Sequence, residues 1–330
     1  MQYGHIDHVS KPISHIVFGT ATPKMFAAFR SVYGEAPDFD ARLQAAFQLL
    51  DDMYAEGVNC FDCSDHYGEE PLGEWLEARG LHDKVVILTK GAHHNRWRKR
   101  VTDFDILHDA HNSLAKLKTN HLDIYMLHRD DPDKPVCEIM EALNEFVRAG
   151  QALRLGASNW TMARVREANA YALAHDLEPF SVLSPNYSLA RQIGDPWGGC
   201  TSLTGDEHAA DRAWCAKEGI TIIAYAALAH GFLAGKILSS EPERLRASLD
   251  EGGQRGYFYP DNLERLRRAE HMAAKKGCTV AQIALAYVLT DPLGILPAVS
   301  ATKPSHLAAN IAALDIALTE EERAWLDLRA

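Results

Sequence analysis

An acid, a phenol, an amine and an imidazole follow one another along the first 130 residues: Asp62, Tyr67, Lys90 and His128. Three of them close short apolar stretches, VNCF into Asp62, VVILT into Lys90 and IYML into His128, and Tyr67 follows in the run FDCSDHYGEEPLG. A hydrophobic core requires no such groups at these positions. A free phenol, with a pKa of about 10, exchanges protons poorly at neutral pH. An ammonium beside it stabilises the phenolate and lowers that value, and a buried amine needs a carboxylate to stay charged. An imidazole next to the phenol orients a carbonyl oxygen or relays a proton. The set predicts proton transfer to or from a reacting oxygen, as in carbonyl reduction or alcohol oxidation, with Tyr67 as general acid or base. The chain reads as an enzyme.

Two more apolar stretches end in the same way, LRLGA into Ser158-Asn159 and TIIA into Tyr225. Strands that all finish in chemistry are what a parallel (β/α)₈ barrel produces, because its active site is built from the C-terminal strand ends. The alternation predicts strands near 15–19, 58–62, 85–89, 123–127, 153–157, 181–184, 220–225 and 294–298. Helices are predicted at 41–56, 71–79, 104–118, 135–149, 161–174, 206–218, 279–290 and 304–313. Amphipathic periodicity supports them: Val136, Ile139, Met140, Leu143, Phe146 and Val147 share one face, as do Ile106, Ala110, Ser113, Leu114 and Leu117. Helices run into Gly57, Gly80, Gly150, Gly219 and Gly277, residues suited to a left-handed C-terminal cap. Thr279 with Gln282 and Thr319 with Glu322 have capping-box spacing. No GxGxxG or P-loop appears, which argues against a doubly wound nucleotide fold. Two long connections, 185–205 and 226–262, follow strand ends and are expected to overhang the site as loops.

The length of 330 residues fits one barrel domain spanning 1–330 with long loops on its C-terminal face. A net charge of −11 argues against nucleic-acid or anionic-membrane partners. The start MQYGHIDHVSKPISHIVFG has no signal pattern, and no apolar run reaches the roughly 20 residues of a membrane span. Six scattered cysteines read as reduced thiols, so the expected setting is cytoplasmic.

The segments FDCSDHYG, LTKG, IYMLHRDDP and LGASNW, in this order and spacing, resemble the aldo-keto reductase superfamily over nearly the whole chain. The resemblance implies a (β/α)₈ barrel, a catalytic tetrad at Asp62, Tyr67, Lys90 and His128, and NADPH/NADP+ as cofactor, with NADH/NAD+ also possible. It implies cofactor contacts at Thr20, at Ser158 and Asn159 for the nicotinamide amide, at Tyr225 stacking on the nicotinamide ring, and at Leu228, Gly231 and Lys236 along the pyrophosphate. Ser300, Thr302 and Lys303 are implied around the adenosine 2′-phosphate, with His306 and Asn310 near the adenine. Two positions depart from the pattern. Ser184 stands where many members have a glutamine beside the nicotinamide, and Lys303, next to Ala301, stands where arginine is frequent; lysine lacks the planar two-bond fork. The KPISHIVFG start and SPNYSLA run resemble bacterial members of presumed carbohydrate metabolism. His93 and Trp97, in the polar loop GAHHNRWRKRVT, and Trp160 are expected at the substrate. Aromatic faces beside hydrogen-bonding groups suit a sugar or polyol-type carbonyl. Three alternatives stay open: an oxidative NAD-dependent sugar or aldose dehydrogenase, a nucleotide-sensing regulatory barrel without significant turnover, and a metal-dependent barrel hydrolase.

Other features read as structural. Cys60 and Cys63 have CxxC spacing but lie on a predicted strand without a second pair, where zinc needs four ligands. Sixteen histidines include no HExxH, so no metal is expected. The cluster Arg96, Arg98, Lys99 and Arg100 reads as a solvated loop rather than a phosphate site. The letters carry no reading of oligomeric state.

Overall fold

The structure is a computed structural model that describes residues 1–330. Eight parallel strands form a closed barrel: β1 (Val17–Gly19), β2 (Cys60–Asp62), β3 (Val86–Gly91), β4 (Leu122–Leu127), β5 (Ala152–Ser158), β6 (Phe180–Ser184), β7 (Thr221–Ala224) and β8 (Leu296–Val299), in the order β8-β1-β2-β3-β4-β5-β6-β7. The chain divides into two compact units, Met1–Ser184 with Ser300–Leu307, and Pro185–Val299 with Ala308–Ala330.

In the first unit β3 (VILTKG) and β4 (LDIYML) are buried along their whole length, as a strand packed on both faces demands. Register brings the strand ends level: Asp62 pairs with Leu88, Lys90 with Met126, and Ser158 with Ser184. The opposite end is closed by the hairpin Tyr3–Gly4/Ile13–Ser14 and its Lys11. Lys11 Nζ reaches Asp123 Oδ2 at 2.7 Å and Val85 O at 2.9 Å, and the same carboxylate oxygen accepts from Ile87 N at 2.8 Å. That buried charge pair is structural; it lies at the N-terminal strand ends, away from the chemistry. The helix Asp103–Leu117 starts at Thr102, whose hydroxyl accepts from Asp105 N, and ends at a left-handed Lys118.

In the second unit β7 and β8 pair through Ile223 with Leu296 and Ala224 with Pro297. The segment 226–262, expected as a loop, contains the helices Pro242–Ser248 and Glu251–Tyr257 and the first turn of Pro260–Lys276. Gly252, Gly253 and Gly256 lie within Glu251–Tyr257, and one of them serves close approach. A Cβ on Gly256 would press on Pro196 Cγ at 2.9 Å, and Ile193 N donates to Gly256 O at 3.0 Å. The long 185–205 connection does lack helix and strand, and Asp195 orders its tip by accepting from the backbone N–H groups of Trp197, Gly198 and Gly199. All five helix-ending glycines take positive φ, and both capping boxes form. Short helices at Pro23–Ala27 and Arg30–Tyr33 interrupt a stretch without clear periodicity.

Candidate active site

After Asp62 the chain turns at once. Ser64 and Tyr67 exchange backbone hydrogen bonds of 2.9 and 3.0 Å, and Asp65 N donates to Lys90 O at 3.0 Å, tying the turn to β3. Gly68 leaves the turn at φ +80°, where a Cβ would overlap the Thr20 hydroxyl. Thr20 is fully buried and its hydroxyl donates to Asp62 O at 2.8 Å. It therefore packs against the turn that carries Tyr67.

Lys90 Nζ donates to the Tyr67 hydroxyl at 2.9 Å and to Cys63 O at 3.3 Å, and forms an ion pair with Asp62. The side chains of the pair are 3% and 8% exposed. Burial opposes the ammonium, but Asp62 and then Tyr67 outweigh it, so the lysine is held charged. The phenol is raised above its ordinary value, first by burial and then by the Asp62 charge; Lys90 pulls the other way and loses. Lys90 thus pulls Tyr67 down as expected, but burial and the Asp62 charge outweigh it. The environment therefore favours the protonated phenol.

His128 begins the loop after β4, where its N–H donates to Gly91 O at 2.8 Å, and its ring lies 6.0 Å from that of Tyr67. Burial, then Lys90, push its pKa well down, so the imidazole is neutral. Its Nδ1 is buried without a hydrogen-bond partner. His93 stacks edge-to-face on His128 at 4.7 Å and His66 on His93 at 4.5 Å. His66, which sequence reasoning passed over, is lowered by burial to about 4. Its only signal was adjacency to Tyr67. Trp97 is 74% exposed with the Arg96 guanidinium 4.1 Å over its ring. Trp160 is buried against Phe180 at 5.2 Å, so it backs Asn159 and presents little surface to a substrate.

The basic loop is an anchor. Arg98 pairs with Asp105, Lys99 with Asp131 and Asp133 at 2.9 Å each, and Arg100 with Asp109 at 2.5 Å. Asp109 in turn accepts from Ala92 N at 2.9 Å, which fixes the residue before His93. Cys60 and Cys63 are buried in and beside β2, with thiols pushed well up by burial. No group of three or more His, Cys, Asp or Glu is arranged to hold a metal ion.

The remaining expected cofactor residues fall in both units. In the first, Ser158 Oγ donates to Ser184 O at 2.9 Å, and Asn159 Nδ2 donates to Ser158 Oγ at 3.0 Å and His128 O at 3.3 Å. Asn159 takes φ +60°, in the left-handed region that asparagine tolerates better than most side-chain-bearing residues. Lys303 and Thr302 are exposed just before the helix Pro304–Ile311, whose N-terminus favours anions. An ammonium, a hydroxyl and a helix start fit a phosphate. The Ser300 hydroxyl is already donated to Gly19 O at 2.8 Å, and His306 is exposed one turn along. In the second unit Tyr225 Oη donates to Thr201 O at 3.2 Å, and Leu228 and Gly231 lie in a turn where Ala226, Ala229, His230 and Gly231 all take positive φ. Within this turn the N–H groups of Ala229, Gly231 and Phe232 donate to Ala226 O, Leu228 O and Ala229 O at 2.7, 3.0 and 3.0 Å. Lys236 is exposed and Asn310 buried.

A parallel barrel with a buried acid, amine, phenol and imidazole at its strand ends defines an oxidoreductase-type carbonyl site. The sequence profile of the aldo/keto reductase family matches residues 33–328, and the chain belongs to that family. Among its relatives, an aryl-alcohol dehydrogenase [NADP(+)] of Phanerodontia chrysosporium is 29% identical over 310 residues, covering 86% of this chain and 75% of the relative. Norsolorinic acid reductase B of Dothistroma septosporum is 28% identical over 308 residues, covering 89% and 73%. Norsolorinic acid reductase B of Aspergillus parasiticus is 30% identical over 296 residues, covering 84% and 72%. These relatives are fungal, and none of their names concerns carbohydrate.

Proposed function

We propose that this chain reduces an aromatic aldehyde or ketone with NADPH, Tyr67 giving the proton. The observation that carries the reading is the Tyr67 hydroxyl 2.9 Å from Lys90 Nζ, beside the Lys90–Asp62 ion pair. Bound nicotinamide would supply the hydride to the carbonyl carbon. The Tyr67 hydroxyl donates its proton to the carbonyl oxygen as that oxygen gains charge. Lys90 compensates the phenolate left behind, and Asp62 keeps the amine charged and aimed. A proton on the partnerless Nδ1 of His128 would be a buried N–H left unpaired, so Nε2 carries it and donates to the carbonyl oxygen. Ser158, Asn159 and Ser184 are the proposed amide contacts, Tyr225 the ring partner, Leu228, Gly231 and Lys236 the pyrophosphate contacts, and Thr302 and Lys303 the 2′-phosphate grip.

The names of the relatives support an aryl substrate. A hydroxylated or sugar-type carbonyl is the second reading, favoured by the imidazole row at the phenol. The tetrad serves alcohol oxidation by microscopic reversibility. We further propose that 1–330 works as a single barrel domain and that its setting is cytoplasmic, in keeping with six free thiols. No helix is long and apolar enough to cross a membrane.

Tyr67→Phe tests the reading. Loss of a general acid should cut kcat on a substituted benzaldehyde by about 10²–10⁴-fold while NADPH still binds. An unchanged kcat would remove Tyr67 from the chemistry.

A further inference from the structure

We propose that His93 is a specificity residue that selects carbonyl substrates carrying a hydrogen-bond donor, a hydroxyl above all, set back from the reacting carbonyl by about one ring position. The proposal rests on the carbonyl-reducing reading above and adds a chemical requirement on the rest of the substrate.

The argument begins with the ring's two nitrogens. His93 Nδ1 lies 2.7 Å from the carbonyl oxygen of His94. A carbonyl oxygen only accepts, so Nδ1 must carry the proton. Burial lowers the His93 pKa, so the ring keeps one proton at neutral pH and Nε2 is a bare lone pair. No residue of the protein hydrogen-bonds to that nitrogen. The tautomer is therefore dictated by the backbone, and the free end of the ring is an acceptor that cannot turn into a donor without breaking a 2.7 Å bond.

The ring's place makes this a statement about substrate. His93 packs edge-to-face on His128, centre to centre 4.7 Å, and His128 flanks Tyr67. Its backbone is held by the preceding Ala92, whose N–H is taken by Asp109 and whose φ is +57°. A carbonyl oxygen placed at Tyr67 and His128 would thus have His93 as the next ring along, with a nitrogen that can only accept. A hydroxyl set back on an aromatic substrate, as at the meta position, would donate to such a lone pair; an ether or second carbonyl there would set lone pair against lone pair. A site built to bond a hydroxyl rejects the analogue lacking the donor. The three imidazoles together also give the rim polarity without charge, which suits a neutral phenolic compound better than an acid.

The test compares 3-hydroxybenzaldehyde with 3-methoxybenzaldehyde on the full chain. Two readouts are taken: kcat/KM with NADPH, and affinity for the NADP+-loaded protein by tryptophan fluorescence. The wild type should favour the hydroxy compound by about threefold to tenfold in both, the worth of one neutral hydrogen bond. In His93→Phe, which keeps a flat ring without the lone pair, the ratio should fall to near one. In His93→Gln, whose amide oxygen accepts, part of it should return. A wild-type ratio near one, or a ratio unchanged in His93→Phe, overturns the role of His93 while leaving the reductase reading intact. If neither aldehyde is reduced yet the binding ratio exists and collapses in His93→Phe, the reductase reading fails and the recognition stands. Binding of neither compound overturns both.

Discussion

Asp65 stands two residues before the phenol and is the most strained acid in the vicinity. Its Oδ1 is buried with no hydrogen-bond partner, and its Oδ2 has only His66 Nε2 at 3.5 Å and Arg100 Nη1 at 3.8 Å. Burial first, then the charges of Asp109 and Glu69, push the carboxyl from an ordinary 3.8 up to about 7. A group raised in the folded state supports folding below its unfolded value and loses that support as pH rises through the folded one. Stability should therefore fall between about pH 4 and pH 7 on account of this residue alone, and level off above. At pH 8 an acid moved from 3.8 to about 7 costs about 4 kcal/mol in its ionised form. Asparagine cannot ionise and keeps the shape. Urea unfolding of wild type and Asp65→Asn at pH 5, 6, 7 and 8 isolates the effect, because every other titrating group is common to both. The advantage of Asp65→Asn should widen by about 3 kcal/mol from pH 5 to pH 8. An advantage that stays flat or narrows with pH would refute the account of Asp65 as a forced ionisation.

Two other perturbations probe the frame of the site. If Lys303 grips the 2′-phosphate, Lys303→Ala should raise the Kd for NADPH by about tenfold or more, the worth of one charge-assisted hydrogen bond, and barely move NADH; equal losses in parallel fluorescence titrations would remove it from that role. Gly68→Ala places a Cβ on a left-handed residue and against the Thr20 hydroxyl, which holds Asp62 O. The backbone cost alone is about 1–2 kcal/mol, and the displaced Thr20 should lower kcat as well; wild-type stability and turnover together would contradict the close packing.

The barrel was legible because its signals are local. A glycine after an amphipathic run, a threonine three residues before a glutamine or glutamate, and an apolar stretch ending in Lys90 or His128 each report on neighbours in the chain. The four catalytic candidates were readable for the same reason, since a strand end carries its residue to the mouth of the barrel whatever the helices do. What escaped depends on distant partners. The glycines of Glu251–Tyr257 read as loop, and only their contact with Pro196 shows that they admit a second segment. The ladder from Arg100 to Asp109 to Ala92 joins a loop, a helix and a strand end. The close packing of Gly68 on the Thr20 hydroxyl joins two strand ends, and the rise of Tyr67 depends on how deeply the barrel buries it.

That rise bears on the direction of the proposed reaction. A buried ion pair such as Lys90–Asp62 adds little to stability, because taking both charges from water offsets their attraction. Its value lies in what stands beside it. Without the pair, burial alone would keep the phenol protonated but would leave a phenolate with no compensation once its proton had gone. With an ammonium held at 2.9 Å, the proton can leave at the moment the substrate oxygen gains charge, and the charge that moves onto Tyr67 meets a partner already in place. In the proposed mechanism burial first, and then the Asp62 charge, would keep the proton on the resting phenol. The resting state is therefore the acid form, which reduction requires. Alcohol oxidation would have to start from the minor phenolate form, and its share of the traffic would grow with rising pH.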